Sequence, residues 1–177
     1  MATSAPRPKR FSGFTLLELM IVVTILGTLA AVALPQFLKY KLRSRTAEVR
    51  MNLAAIRSLE ITHFSATDVY VTVDPEPPVI PGAAPVAFNP ASGFDSLGFI
   101  PEGLVSFSYG VAVSPDGAGF TADAGADLDG DGFVQFWGLA KPDGAGVLAP
   151  GRVGCDAAGL VAEQLGPCSP GHGASIF

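Results

Sequence analysis

The sequence predicts an α+β fold, in which a long N-terminal helix packs on a small antiparallel β-sheet. Three observations carry that expectation. An uncharged apolar run at 19–34 leads into an amphipathic stretch, and neither Gly nor Pro interrupts 36–66. From residue 104 onward, apolar residues alternate and Asp/Gly/Pro clusters recur, as in a β-meander. Between the two lies a connection in which Pro75, Pro77, Pro78, Pro81, Pro85 and Pro90 exclude a regular sheet interior. Hydrophobic residues make up 49% and charged ones 15%, enough for a folded core and against wholesale disorder. The expected organisation is a leader at 1–13, a helix at 14–66 and a β head at 67–177.

The first ten residues are basic through Arg7, Lys9 and Arg10 and read as a leader rather than as fold. Residues 14–34 then form a 21-residue apolar segment with one charge, Glu18. About 20 residues suffice to cross a bilayer core as a helix. A carboxylate at that depth costs several kcal/mol, roughly, and is a functional candidate by default. Thr15-Leu16-Leu17-Glu18 also fits a capping box, which gives Glu18 a plain structural role. From Lys39 the charges Lys41, Arg43, Arg45, Glu48, Arg50, Arg57 and Glu60 interleave with Leu42, Val49, Leu53, Ile56 and Leu59. Those apolar spacings near three, four and seven lay one helix face on a domain. One helix is expected over 14–66, on the order of 80 Å long, bent or locally opened near Gly27 and Pro35. Its first half would project and its second half would form the spine of the head.

In the head, Val69 to Val73 is a possible short strand. Residues 104–113 place Val105, Phe107, Tyr109, Val111 and Val113 on one face of a strand. Ser114-Pro115-Asp116-Gly117 is a turn, 119–123 a returning strand, Phe133 to Trp137 a third, and Val147-Leu148 the start of a fourth. Beyond Pro150 the chain is Gly- and Pro-rich. Cys155 and Cys168 are the chain's two cysteines and enclose twelve residues, so one pairing is possible. Two free thiols are the alternative, less expected in an exported chain.

Charge is unevenly placed. Residues 61–177 hold 13 acidic residues against Lys141 and Arg152, and residues 1–60 hold nine basic and three acidic ones. An acidic head disfavours nucleic acid as its partner. The positive leader predicts a cytoplasmic N-terminus and an exported remainder. The basic run at 39–45 suits an anionic lipid surface or, as the preferred reading, a solvated stem or contact with acidic faces of neighbouring subunits.

Lys9-Arg10-Phe11-Ser12-Gly13 followed by Phe14-Thr15-Leu16-Leu17-Glu18-Leu19-Met20-Ile21-Val22-Val23 resembles the leader and methylation segment of a type IV prepilin. Pro35 matches the same pattern. The resemblance covers roughly residues 8–60, and the rest of the chain is similar only in layout. It implies cleavage between Gly13 and Phe14 by a prepilin peptidase, methylation of the Phe14 amine, and assembly into a helical filament by inner-membrane machinery. It implies that the helix opens around Pro35 on assembly, and that Cys155 and Cys168 close a C-terminal loop. The chain would then sit in the inner membrane before assembly and in an extracellular pilus afterwards, serving adhesion and twitching motility. Glu18 would pair with the cationic Phe14 amine of a neighbour and set axial register, since either charge left unpaired in an apolar core is costly.

Asp127-Leu128-Asp129-Gly130-Asp131-Gly132 fits the first half of a calcium loop, with Asp123 as a candidate extra ligand. The twelfth position is Gly138, where such a loop needs a bidentate Glu. The plain alternative is an Asp/Gly turn with no cofactor. His63 and His172 have no companion ligands, and Ser106, Ser108 and Ser169 lack a nucleophile-elbow context, so no enzyme chemistry is assigned. Two other readings stay open. One is a type II secretion pseudopilin, favoured by the calcium turn, whereas the cysteine pair and Pro-rich insert favour a pilus subunit. The other is an uncleaved, membrane-anchored periplasmic binding module.

Overall fold

The computed structural model describes residues 13–168. Residues 1–12 of the expected leader, Ser169 and His172 lie outside the described residues. The chain divides between Lys39 and Tyr40 into two units. Helix α1, Leu16–Thr67, belongs to both and runs unbroken through Gly27 and Pro35. Its ends fall within two residues of those expected.

In the first unit every described residue is exposed. In the second unit, Val49, Leu53 and Ile56 of α1 are fully buried, and Leu42 and Leu59 pack at the edge of the same core. This is the face that the apolar spacing predicts. Thr46 and Glu60 are buried with it.

Beyond α1 come β1 (Val73–Glu76), β2 (Val86–Ala87), a short helix α2 (Phe94–Leu97), β3 (Leu104–Val105), β4 (Ser108–Val113), β5 (Phe120–Ala126), β6 (Gln135–Lys141) and β7 (Leu165–Pro167). Five strands make one antiparallel sheet in the order β1-β4-β5-β6-β7, and β2 pairs with β3 separately.

Four expectations need correction. The strand expected at 69–73 lies later, at β1, and contains Pro75. Pro75 is tolerated because β1 is an edge strand and its register with β4 shifts between Val73 and Glu76. The strand expected over 104–113 splits into β3 and β4, since Ser106 N–H turns away to donate to the Glu48 carboxylate (3.0 and 3.2 Å). The third strand starts at Gln135, leaving Phe133 outside it and 69% exposed. The last strand is β7, while Val147 closes a turn through Asp143 N–H to Val147 C=O (2.9 Å).

The connection at 67–101 is only partly surface. Phe94, Leu97 and Phe99 are buried, and Phe88 packs tilted against Phe94 and edge-on against Phe99 and Tyr109. Aromatic pairs at such centroid distances add about 0.5–1.5 kcal/mol beyond burial.

The strands bury both faces. Phe120, Ala122, Ala124 and Ala126 of β5 join Val49, Leu53 and Ile56 in the larger core. Ala140, Cys155, Leu160 and Cys168 form a second cluster, with Phe136 and Leu148 against it. The C-terminal loop therefore covers a sheet face rather than hanging free.

Candidate assembly helix and the C-terminal loop

Gly13 has no atom within 4 Å of where a side chain would begin, and Phe14 is 84% exposed. The Thr15 hydroxyl accepts Glu18 N–H (3.2 Å), and Glu18 Oε2 accepts Thr15 N–H (3.5 Å). These two bonds are the capping box read from the sequence. They leave Glu18 Oε1 without a hydrogen bond among the described residues, so the cap and a second partner are compatible.

From Leu16 the helix exposes Leu17, Leu19, Met20, Ile21, Val23 and their successors as far as Leu38. It is long and apolar enough to cross a membrane, and none of its most apolar window is buried. Apolar surface on this scale marks a membrane or protein contact. Thr24 and Thr28 return their hydroxyls to backbone carbonyls at Ile21 (2.8 Å) and Ile25 (2.9 Å), so their polarity is satisfied within the helix. Pro35 lacks an N–H and so removes one rung from the ladder.

Cys155 and Cys168 are joined by a disulfide, with Cα atoms 5.3 Å apart. The loop they close is anchored by Asp123, which lies mid-β5 with no exposed surface. Its Oδ1 accepts the N–H groups of Arg152 (2.9 Å) and Val153 (3.1 Å). Its Oδ2 accepts those of Val153 (2.9 Å), Gly154 (2.9 Å) and Cys155 (3.1 Å). Burial pushes the Asp123 carboxyl above its ordinary range, and these amides pull it back. A Cβ on Gly151 would collide with this carboxylate, and one on Gly154 with the Phe136 ring. Glycine at both places lets the backbone come close enough to bond.

Asp123 is therefore no member of the acidic cluster, which corrects its placement among the calcium candidates. Its oxygens are taken by backbone amides. Asp127, Asp129 and Asp131 do converge, each offering a carboxylate oxygen within 4.8 Å of the others. All three are also used locally, Asp129 through hydrogen bonds with Asp131. Asp127 accepts the N–H groups of Gly130 (2.9 Å) and Gly132 (3.1 Å), and Asp131 that of Phe133 (2.8 Å). Desolvation, then the charge of Asp131, raise the Asp129 carboxyl above its ordinary range.

Sequence reading named three carboxylates but missed the backbone and side-chain donors that each one holds. Glu48 accepts the Tyr109 hydroxyl (3.0 Å) as well as Ser106 N–H, and Asn52 donates to that same hydroxyl (2.8 Å). Glu60 is fully buried, and its Oε2 accepts Val71 N–H (3.0 Å), while Oε1 has no partner. Desolvation raises its pKa to about 7, against the lowering pull of that bond and of His63. Asp123 is the third. An acidic residue in the middle of a strand is unfavourable unless something answers it, and that was the available signal.

Residues 8–34 match the family model described as the prokaryotic N-terminal methylation motif. The chain is type IV pilin-like. It is 29% identical over 199 aligned residues to the type IV major pilin protein PilA of Myxococcus xanthus, covering 87% of this chain and 89% of that one. A type IV major fimbrial protein FimA of Dichelobacter nodosus is 50% identical over 46 residues, 26% of this chain and 30% of its own length. The type IV major alpha-pilin of Moraxella bovis is 56% identical over 43 residues, 24% of this chain and 27% of its own. These last two matches span less than a third of those relatives. No solved structure matches.

Proposed function

We propose that copies of this chain polymerise through α1 after a prepilin peptidase cuts between Gly13 and Phe14 and the Phe14 amine is methylated. The chain is a structural subunit of a type IV pilus. The observation that carries this is the wholly exposed apolar stretch of α1 up to residue 34, which holds one carboxylate, Glu18. Before assembly that surface lies in the inner membrane with the N-terminus cytoplasmic. After assembly it lies against the same surface of other copies, where Glu18 Oε1 takes a neighbour's Phe14 amine. The head then decorates the outside of an extracellular fibre that serves adhesion and twitching motility.

The role is structural rather than catalytic. Ser108 donates its hydroxyl to Pro77 C=O (2.6 Å), and His63 Nδ1 lies 2.9 Å from Val69 C=O, so both are engaged by backbone. The turn at 127–132 holds its shape through its own amides. The twelfth residue of a calcium loop would be Gly138, inside β6 and without a side-chain oxygen. Calcium titration is expected to leave the melting temperature unchanged. A rise of several degrees would instead favour the pseudopilin reading, which shares the helix.

The test is recovery of sheared surface fibres from cells with wild-type chain or Glu18→Ala. Wild-type chain is expected in the fibres, with Glu18→Ala retained in membranes at equal abundance. Normal fibres from Glu18→Ala would remove Glu18 from the assembly mechanism.

A further inference from the structure

We propose that the basic turns of α1 from Lys41 to Arg50 dock on the Asp127–Asp131 turn of a second copy of this chain. The proposal rests on the pilus-subunit reading and names the head-to-head contact within it. Lys41, Arg43 and Arg50 are exposed, and Arg45 is half-buried. Among the described residues the ion pairs are Arg57–Glu163 and Arg152–Asp74, so none of these four cations meets a carboxylate of its own chain. Arg43 lies over the Tyr40 ring and Arg50 over the Trp137 ring, with centroids 6.0 and 5.1 Å away. Those contacts seat the two guanidinium groups on aromatic faces and supply no counter-charge.

The acidic turn is equally unanswered. Its three carboxylates converge within 4.8 Å, and no Lys or Arg among the described residues pairs with them. One loop separates the two patches. Pro81 C=O accepts Asp127 N–H (2.9 Å), and two residues on Ala83 C=O accepts the Arg45 guanidinium (2.6 Å). The patches thus flank residues 81–83 and are kept from closing on each other. A second copy offers the basic patch of one chain to the acidic patch of the next. Such a contact joins different surfaces, so it repeats from copy to copy, and it builds a fibre where the rotation between copies does not close a ring. Charge complementarity of this kind fixes register and partner choice more than it adds raw affinity.

The experiment uses full-length chain in cells and compares sheared-fibre yield for wild type, Arg43→Glu, Asp129→Lys and the double variant. Both residues are exposed, and the Asp129 carboxylate bonds within its own turn, to Asp131, so head melting temperatures are expected to stay within a few degrees of wild type. Each single variant is expected to lose fibres several-fold and the double variant to recover most of them. Single variants with wild-type yield would overturn the pairing. So would losses that the double variant leaves uncorrected, and if Arg43→Glu alone also weakens binding to anionic-lipid vesicles, the basic patch serves the membrane. Absence of wild-type fibres would instead defeat the pilus reading on which the proposal rests.

Discussion

The Asp123 carboxylate receives the Val153 N–H on both of its oxygens, at 3.1 and 2.9 Å. Arg152, Gly154 and Cys155 add their own N–H groups, so one buried side chain holds the start of the disulfide loop against the middle of the sheet. Asp123→Asn keeps one acceptor oxygen and turns an NH2 group toward amide donors. Leaving buried donors unmatched and removing the charge is expected to cost about 2–4 kcal/mol. Denaturant unfolding of the detergent-solubilised chain reads this directly. A cost near zero would mean that the loop is held by the disulfide alone.

Glu60 makes stability depend on pH. Its pKa is about 7 in the folded chain against an ordinary 4.5, so the folded state holds its proton more tightly. That stabilisation is complete below about pH 4.5, where both states are protonated, and is lost as pH rises through about 7. The span corresponds to at most about 3–4 kcal/mol at 1.36 kcal/mol per pH unit. Glu60→Gln mimics the protonated side chain and keeps an acceptor for Val71 N–H. It is expected to flatten the profile and to exceed wild type in stability at pH 8. Parallel wild-type and Glu60→Gln profiles would show that another group carries the titration.

The disulfide and Asp123 act on the same segment. Reduction, or Cys155→Ser with Cys168→Ser, is expected to destabilise the head by about 2–4 kcal/mol for a loop of this size. The loss should be less than additive with Asp123→Asn, because Cys155 N–H is one of the Asp123 donors. Thermal unfolding of the single, paired and combined variants tests this.

How much of this was legible in the sequence follows from the range of each signal. The helix, its buried face and the Thr15–Glu18 cap are set by residues three and four apart, and they stand where the pattern puts them. The break between β3 and β4 was not legible. Alternation continues through Ser106, and what stops the strand is a carboxylate 58 positions earlier, on α1. β7 was missed because Leu165-Gly166-Pro167 has little strand propensity and pairs only with β6, beside the disulfide. Convergence of Asp127, Asp129 and Asp131 was readable from spacing, whereas the use of Asp123 by residues 152–155 depends on contacts some thirty positions away.

The central claim is that α1 becomes the assembly element once the leader is removed. Mass spectrometry of sheared cell-surface fibres tests it most directly. The account predicts an abundant peptide that starts at Phe14 and carries one added methyl group. Fibres without this chain, or a surface-exposed chain that still begins at Met1, would contradict it.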